Sequence, residues 1–208
     1  MAGYIAVEGL IGAGKTTLCR RLAERWGGRL VLEEFEDNPF LPRFYEEPER
    51  YAFSVELSFL AQRFHQLKRI GERSLFEPMT VADYSIGKSL VFAKVTLPPD
   101  EYALFMDLYS IMYTGLPKPD VLAYLHLPLE RVRERITLRG RSYEQSIPAA
   151  YLQRLQEGYL DHLQKAGGRT TLVLDIGNAD LLRDTEAYAE VARVLSGDHE
   201  PGFRIHRL

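Results

Sequence analysis

A phosphate-binding loop lies close to the start of the sequence. The segment Gly9-Leu-Ile-Gly-Ala-Gly-Lys-Thr-Thr fits the pattern G-x-x-x-x-G-K-[ST]. Its glycines let the backbone turn sharply, so that successive N–H groups and the positive end of the following helix face phosphate oxygens. We expect Lys15 to reach the β and γ phosphates of a nucleoside triphosphate, and Thr16 to bind Mg²⁺. The loop residues predicted to hold the triphosphate are Gly9, Gly12, Ala13, Gly14, Lys15, Thr16 and Thr17.

An acidic side chain at the end of the second predicted strand, Leu30–Leu32, offers a proton acceptor. In a parallel sheet the carboxyl end of this strand opens onto the phosphate loop, so Glu33 is placed to take the proton of an attacking alcohol. A nucleoside monophosphate needs no such base, since the second pKa of a phosphate is about 6. Glu33 therefore favours a hydroxyl acceptor; a solvated acid within the run 33–37 remains the alternative interpretation.

Asp83 follows the third predicted strand, Thr80–Ala82. A carboxylate at the end of a strand beside the phosphate loop is the usual protein ligand of Mg²⁺ in this class of enzyme. The competing interpretation is that Asp83 only caps the amino end of a helix before Ile86. The sequence thus predicts a metal site formed by Thr16 and Asp83, with the capping role left open.

Five arginines lie between residues 131 and 141, at the end of a predicted helix and in the loop after it. Arg135 and Arg139 are four residues apart and share a helix face, while Gly140 gives the loop before Arg141 freedom to move. Planar guanidinium groups suit the charge that spreads over a transferring phosphoryl group. We expect a lid at about residues 139–147; a solvated basic face is the alternative.

Predicted strands and helices alternate along the chain, and the candidate site residues named above lie at or near the ends of these elements. Strand-like segments are predicted at Tyr4–Val7, Leu30–Leu32, Thr80–Ala82, Val121–Leu127 and Thr171–Ile176. A helix is predicted from Lys15 to Trp26, before Gly27, and a longer one from Arg50 to Arg69. The pattern predicts an α/β fold of the P-loop kinase type: a five-stranded parallel sheet with helices on both faces and an arginine-rich lid.

Length and composition restrict the class of protein. The 208 residues suit one α/β domain, and 26 Lys and Arg nearly balance 29 Asp and Glu. A protein that holds long nucleic acid usually carries a basic excess, so we expect no nucleic-acid polymer as partner. No apolar run approaches the roughly 18 residues that span a membrane, and we expect a cytoplasmic protein. The tail from Ser196 to residue 208 is either frayed or packed.

From about Tyr4 to Leu163 the chain resembles the deoxyribonucleoside kinase family, especially its bacterial deoxyguanosine and deoxyadenosine kinase branch. Besides the phosphate loop, the resemblance rests on the order and spacing of several short motifs. These are Glu33 with Glu36-Asp-Asn-Pro-Phe40, Tyr45-Glu-Glu-Pro-Glu-Arg-Tyr51, Phe53-Ser-Val-Glu56, Arg63, Asp83-Tyr-Ser85, Lys88, Phe92-Ala93, Leu116-Pro-Lys-Pro-Asp120 and Arg139-Gly-Arg-Ser-Tyr-Glu-Gln-Ser-Ile-Pro148.

The resemblance implies roles for individual residues. It implies that Glu33 is the base for the 5′-hydroxyl of the sugar, and that Tyr45 and Glu144 hold the 3′-hydroxyl. Polar partners make sense there because a buried sugar hydroxyl without a hydrogen bond is costly. It further implies that three arginines surround the phosphates of an ATP donor, and that the protein is a homodimer. These arginines are Arg135, Arg139 and Arg141.

One departure from the family pattern concerns a phosphate-binding charge. Many members carry an arginine directly after the acid of the third strand, where this chain has Tyr84. Lys88, about one helical turn further on, either replaces that charge or contacts the base of the nucleoside. Tyr84 is either part of a modified site or a packing residue.

The choice of base turns on Glu56, where many relatives have a glutamine. An ionised carboxylate only accepts hydrogen bonds, and guanine presents two adjacent donors, N1–H and the N2 amino group. Arg63 and Lys88 are available for the guanine acceptors O6 and N7. Adenine offers one donor beside an acceptor, so deoxyguanosine is the first expectation and deoxyadenosine the second. A protonated Glu56 weakens this argument, and a surface acid is the alternative.

Together these features predict an ATP- and Mg²⁺-dependent kinase for the 5′-hydroxyl of a purine deoxynucleoside, acting in nucleotide salvage. Two rival functions stay open. The first is a nucleoside-monophosphate kinase similar to thymidylate kinase. The second is a regulatory subunit that holds a nucleotide without turnover, which the missing arginine makes conceivable.

Overall fold

The computed structural model describes residues 3–35, 38–70, 79–165 and 168–208. Glu36 and Asp37, which belong to one of the motifs above, lie outside these residues. The strands are β1 Tyr4–Gly9, β2 Arg29–Val31, β3 Thr80–Ala82, β4 Val121–His126, β5 Thr170–Asp175 and β6 Gly202–Arg207. The helices are α1 Lys15–Trp26, α2 Leu41–Glu46, α3 Pro48–Ile70, α4 Lys88–Thr96, α5 Pro99–Tyr113, α6 Leu129–Arg139, α7 Ala149–Lys165 and α8 Thr185–Ser196. A 3₁₀ turn at Ser142–Glu144 joins α6 to α7.

The strands form one parallel sheet in the order β2-β3-β1-β4-β5-β6. Strand β1 is central, between β3 and β4. The chain moves to one side of β1 to form β2 and β3, and to the other side to form β4 and β5. A crevice opens at the carboxyl ends of the strands where such an order reverses, so the fold presents the loop after β1 as the expected ligand site.

The predicted α/β fold with a parallel sheet and flanking helices is confirmed, but the predicted number of five strands is wrong. The sixth strand, β6, pairs with β5 from Thr170↔Gly202 to Asp175↔Arg207. None of its residues is fully buried. Because β6 is an edge strand without a continuous apolar run, its sequence carried little of the signal that marked the buried strands.

Burial explains why the central strands were easy to predict. All six residues of β1 are buried, and so are the first five of β4. Successive strand residues point to opposite faces, so complete burial means that helices cover both faces of the sheet. Helix α1 begins at Lys15 after Gly14 and ends before Gly27, which takes a left-handed conformation with φ of 59°. These are the bounds that the sequence predicted.

Some apolar surface is left uncovered on one helix. Leu104 and Ile111 of α5 are 52% and 73% exposed. Within the described ranges, no helix has the combination of length and apolar character that crossing a bilayer requires.

Candidate active site

The phosphate loop joins the central strand to the first helix. Gly12 and Gly14 have φ values of 82° and 95°, a region that glycine enters without strain. A Cβ atom on Gly12 would lie 2.9 Å from Cγ1 of Ile136, so the loop also needs glycine there for space. Lys15 Nζ donates to the carbonyl oxygens of Gly9 and Leu10, each at 2.9 Å. Burial, together with the nearby Lys88, lowers the pKa of Lys15 to about 8.

Thr16 and Asp83 meet as the sequence predicted. Thr16 Oγ1 donates to Asp83 Oδ2 at 2.5 Å, and the backbone N–H of Glu33 donates to Asp83 Oδ1 at 2.8 Å. Helix α4 begins later, after Gly87, so Asp83 does not cap it. A hydroxyl and a carboxylate side by side next to phosphate-binding N–H groups are the hard oxygen ligands that Mg²⁺ takes together with phosphate and water. The pair therefore fits a magnesium site.

Glu33 lies between two cations at the end of β2, and 12% of its side chain is exposed. Arg63 donates to Glu33 Oε1 from Nε at 2.8 Å and from Nη2 at 2.6 Å, and Lys88 Nζ donates to Oε2 at 2.5 Å. Burial by itself raises the pKa of a carboxyl group, but Lys88 and Arg63 outweigh burial and hold the pKa of Glu33 at about 2. Glu33 is thus an ionised acceptor at neutral pH, not a solvated acid.

Several polar side chains that the sequence analysis did not single out support this cluster. Arg63 Nη1 donates to Ser89 Oγ at 2.8 Å. Gln66 Nε2 donates to the carbonyl of Leu32 at 3.0 Å and accepts from the hydroxyl of Tyr84 at 2.8 Å. Tyr84 is fully buried, so the structure places it in a packing and supporting role. Gln66 lies three residues after Arg63 on α3, a helical spacing that places both side chains near one face.

Glu56 lies on the same helix as Arg63 but has a different environment. Its side chain is buried, with 2% of the residue exposed. Oε1 accepts a 3.3 Å hydrogen bond from Thr96 Oγ1, and Oε2 has no hydrogen-bond partner among the residues that the structure describes. Burial raises the pKa of Glu56 to about 7, although Arg63 and Thr96 lower it. In the structure, Arg63 and Lys88 donate their hydrogen bonds to Glu33 and not to Glu56. The predicted contacts of these two cations with a purine base therefore stay a prediction.

The predicted lid is a compact cluster in this structure. Helix α6 ends at Arg139, and Gly140 follows with φ of 72°. Glu144, which is 5% exposed, accepts hydrogen bonds from Arg139 Nη2 and from Arg141 Nη1. Tyr45 stacks on Tyr143, the residue before Glu144, with ring centroids 5.9 Å apart. The structure thus brings the two residues assigned to the 3′-hydroxyl next to two of the arginines assigned to the donor.

Arg135 lies further back in α6 and bridges two loops. Its Nη1 donates to the carbonyl of Ala13 in the phosphate loop at 2.9 Å, and its Nη2 donates to the carbonyl of Ala179 at 3.1 Å. Burial lowers the pKa of Arg135 from its usual high value. The guanidinium group is therefore fixed beside the phosphate loop.

A cleft of about 800 Å³ joins the phosphate loop, the end of β2 and the arginines of α6 and the lid. Its walls contain most of the residues that the sequence assigned to catalysis, phosphate and metal. These residues are Gly12, Gly14, Lys15, Thr16, Thr17, Glu33, Asp83, Arg135, Arg139 and Arg141. The residues assigned to the sugar and the base other than Glu33 are not among those that line the cleft; they are Tyr45, Glu56, Arg63, Lys88 and Glu144. Cationic walls around a glycine-rich loop suit a polyphosphate.

Glu8, directly before the phosphate loop, is a further residue that the sequence analysis missed. Its Oε1 accepts from the backbone N–H of Ser85 at 2.7 Å and from Ser85 Oγ at 2.8 Å, and its Oε2 accepts from the hydroxyl of Tyr159 at 3.2 Å. Burial raises the pKa of Glu8. An acid inside an otherwise apolar strand was the available signal, because such a group is buried only with hydrogen-bond partners.

The chain is similar to known proteins along most of its length. Residues 5–196 match the profile of the deoxynucleoside kinase family. Deoxyguanosine kinase of Bacillus subtilis is 35% identical over 92% of this chain and 95% of its own length. Deoxyadenosine/deoxycytidine kinase of the same organism is 33% identical over 90% of this chain and 88% of its own length.

The fold is also similar to that of a solved deoxynucleoside kinase structure. A structure of deoxyadenosine kinase from M. mycoides, described as having products dCMP and a flexible dCDP bound, superposes with a TM-score of 0.79. It covers 92% of this chain and 98% of its own, at 24% identity. At this identity the likeness shows the fold alone, whereas the profile match and the two Bacillus subtilis kinases show the family. The chain belongs to the deoxynucleoside kinase family.

Proposed function

We propose that this enzyme transfers the γ-phosphoryl group of ATP, with Mg²⁺, to the 5′-hydroxyl of a purine deoxynucleoside, and that deoxyguanosine is preferred over deoxyadenosine. The observation that carries the proposal is Glu33, a carboxylate held ionised by Arg63 and Lys88 beside the phosphate loop. Such a group binds the proton of an alcohol, and it repels a phosphate acceptor that is already anionic.

The pKa of Glu33, about 2, sets how it acts. A carboxylate this acidic is a weak base towards an unreacted alcohol. Glu33 therefore orients the 5′-hydroxyl by accepting its hydrogen bond, and it receives the proton once the bond to phosphorus is forming and the hydroxyl has become acidic. Lys88 donates a hydrogen bond to Glu33, and its charge also lowers the pKa of Lys15 in the phosphate loop. We assign to Lys88 the positive charge that Tyr84 lacks.

The donor side of the cleft is cationic. Lys15 and the backbone N–H groups of the loop bind the β and γ phosphates, and Arg135 is fixed where it faces the same loop. Thr16 and Asp83 would hold Mg²⁺, which supplies charge neutralisation between the β and γ phosphates when bound. Arg139 and Arg141 line the opposite wall of the cleft and stabilise the transferring group when the lid, at about residues 139–147, closes.

One residue assigned to the sugar and two assigned to the donor phosphates form a hydrogen-bonded cluster. Glu144 and Tyr45 are assigned to the 3′-hydroxyl, and Glu144 is bridged to Arg139 and Arg141. A deoxyribose whose 3′-hydroxyl donates to Glu144 adds a contact to the acid that holds the lid arginines, and so helps to fix them for the donor. This coupling gives the correct acceptor a direct effect on the catalytic charges.

The preference for guanine rests on Glu56. Its Oε2 is buried without a partner in the described part of the chain, and such an atom is costly until it accepts a hydrogen bond. Guanine supplies two adjacent donors, which match the two oxygens of a carboxylate. Relatives of similar identity include both a deoxyguanosine kinase and a deoxyadenosine/deoxycytidine kinase, so residue chemistry and not similarity decides the order of preference.

We further propose a cytoplasmic homodimer. The exposed side chains of Leu104 and Ile111 on α5 support it, because a second copy would cover them. Analytical ultracentrifugation tests this: a sedimentation coefficient of a dimer at micromolar concentration is expected, and a monomer across the whole concentration range contradicts it.

A panel of acceptors tests the function. Purified protein is assayed with ATP and Mg²⁺ against the four deoxynucleosides and their monophosphates, and the product is identified by mass spectrometry. Formation of deoxynucleoside 5′-monophosphate, fastest with deoxyguanosine, is the expected result. Turnover of monophosphates alone identifies a monophosphate kinase and refutes the proposal. Tight ATP binding with no product from any acceptor refutes it in favour of a regulatory subunit.

A further inference from the structure

Glu56 is a buried acid of α3, and no cation among the described residues is bonded to it. The cations nearest to it, Arg63 on its own helix and Lys88 on α4, both donate their hydrogen bonds to Glu33. The one hydrogen bond to Glu56 in the described residues comes from a neutral hydroxyl, Thr96 Oγ1, at 3.3 Å. Its second oxygen, Oε2, is left unpaired by these same residues. Neither the ionised nor the protonated form is therefore fixed by a strong contact.

Other titratable groups face Glu56 from the helices and the strand that pack around it. Glu33, at the end of β2, repels the ionised form. Tyr45 from α2 and Tyr151 from α7 also face it, and burial and Glu56 itself raise the pKa of both hydroxyls, so that they stay neutral. Arg63 and Lys88 act in the opposite direction and favour ionisation. The balance leaves the pKa of Glu56 at about 7, which agrees with the hydrogen-bond pattern.

The two forms of a carboxyl group recognise different purines. A carboxylate offers two acceptors, which match the adjacent donors N1–H and N2–H of guanine. A carboxylic acid offers one donor and one acceptor, which match N1 and the N6 amino group of adenine. Each purine leaves a lone-pair clash or an unpaired donor against the wrong form, and such a mismatch at a buried site is heavily penalised.

We infer that Glu56 is a proton-dependent selector of the purine, whose carboxylate form binds deoxyguanosine and whose carboxylic acid form binds deoxyadenosine. This inference rests on the proposed function and deepens it, because it makes the preference between two substrates of one site a function of pH. In the deoxyadenosine complex the proton lies on the oxygen of Glu56 that faces N1 of the base.

The inference has a quantitative consequence. Each substrate selects one form of the free enzyme, and the ratio of ionised to protonated Glu56 rises tenfold per pH unit. All other ionisations of the cleft affect both substrates alike and cancel. The ratio of kcat/KM for deoxyguanosine to kcat/KM for deoxyadenosine should thus rise about tenfold per pH unit, whatever the pKa of Glu56.

The test is the wild-type enzyme assayed with both nucleosides between about pH 6 and pH 8, a range in which the ratio should change by about 100-fold. Glu56→Gln should give a ratio that does not vary with pH, because an amide cannot titrate. Glu49→Gln is the matched control: it removes an exposed acid of the same helix and should leave the tenfold slope intact. A wild-type ratio constant within twofold overturns the inference.

Calorimetry supplies a measurement that does not depend on turnover. Nucleoside binding is followed in two buffers of different ionisation enthalpy. At about pH 8 deoxyadenosine should take up a proton on binding, and at about pH 6 deoxyguanosine should release one. The absence of proton exchange with both nucleosides contradicts the inference. Failure of the proposed function looks different, because then neither nucleoside is phosphorylated at any pH.

Discussion

Two acids that are both shielded from solvent, Glu33 and Glu56, have opposite charge properties. At the phosphate end, Glu33 accepts three hydrogen bonds from Arg63 and Lys88, and its pKa is held at about 2. On α3, Glu56 has one weak contact with a hydroxyl, and its pKa is raised to about 7. Burial penalises the charge of both groups, so the difference comes from where the two cations donate their hydrogen bonds.

The difference teaches that sequence neighbourhood does not decide pairing. Arg63 is seven residues after Glu56 on α3, two helical turns on the same face, yet its guanidinium lies on Glu33 from β2. Under the proposed function, a fixed charge suits Glu33, which is assigned to the hydroxyl of the acceptor. A group that can hold or lose a proton suits Glu56, which is assigned to the base.

The largest effect is expected from Glu33→Gln. Loss of the carboxylate should lower kcat about 10²–10⁴-fold, because the amide cannot receive the 5′-hydroxyl proton. Steady-state kinetics with deoxyguanosine measures this. Since the variant also leaves two buried cations without an acid, circular dichroism must establish that it is folded at the assay temperature. The neighbouring exposed acid gives the control, Glu34→Gln, for which kcat should be unchanged; wild-type kcat in folded Glu33→Gln would contradict the role of Glu33.

Lys88→Met should bring the pKa of Glu33 closer to that of Glu56. Lys88 is the strongest of the groups that lower the pKa of Glu33, so its loss should raise that pKa by about 1–3. A raised pKa means that Glu33 is protonated at higher pH, and activity should then fall on the acid side. The profile of kcat/KM from about pH 4 to pH 8 reports this shift.

Lys94→Met is the matched control for that experiment. Lys94 is an exposed lysine of the same helix and pairs with Asp161 at 3.1 Å. Its loss should leave the acid limb where it is in the wild type. An identical limb in Lys88→Met and Lys94→Met would show that Lys88 does not set the charge of Glu33.

The pH dependence of the stability of Glu56→Gln tests the raised pKa of Glu56. Because the folded pKa of Glu56 lies above the value of about 4.5 in the unfolded chain, the native state binds more protons between pH 4.5 and 7. The free energy of unfolding therefore falls as pH rises through this window, and the glutamine variant does not share this loss. Relative to wild type, it should gain on the order of 1–3 kcal/mol at about pH 8 compared with about pH 5.

Urea unfolding at the two pH values measures this gain. Glu49→Gln, which changes an exposed acid, should show no such difference between the two pH values. Glu33 has the opposite sign: its stabilisation is present above pH 4.5 and is lost as pH falls towards about 2. A Glu56→Gln variant with the same change in stability at both pH values would contradict the raised pKa.

Thr96→Val should have the smallest effect. The single proton of Thr96 Oγ1 is shared between the carbonyl of Phe92 at 2.9 Å and Oε1 of Glu56 at 3.3 Å, so the contact with Glu56 is the weaker of the two. Loss of that contact raises the pKa of Glu56 slightly, and the free energy of unfolding at pH 8 should fall by about 1 kcal/mol or less. Since the carboxyl group still titrates, the tenfold change in purine preference per pH unit should persist. A slope lost in Thr96→Val would mean that the hydroxyl, and not the carboxyl, reads the base.

The sequence by itself determined the phosphate loop, the bounds of α1, the parallel α/β fold and the family, because glycine patterns and buried apolar runs are local properties of the chain. It also predicted that Thr16 and Asp83 meet, since the carboxyl ends of parallel strands share one edge.

Only the tertiary structure decided the charge pattern around the two acids. Which acid takes Arg63 and Lys88, and which is left with a hydroxyl, depends on distances between β2, α3 and α4 that no spacing in the sequence encodes. The same holds for β6, an exposed edge strand recognisable only through its pairing with β5. Burial and hydrogen-bond partners set the protonation of a carboxyl group, and both arise only when distant segments pack together.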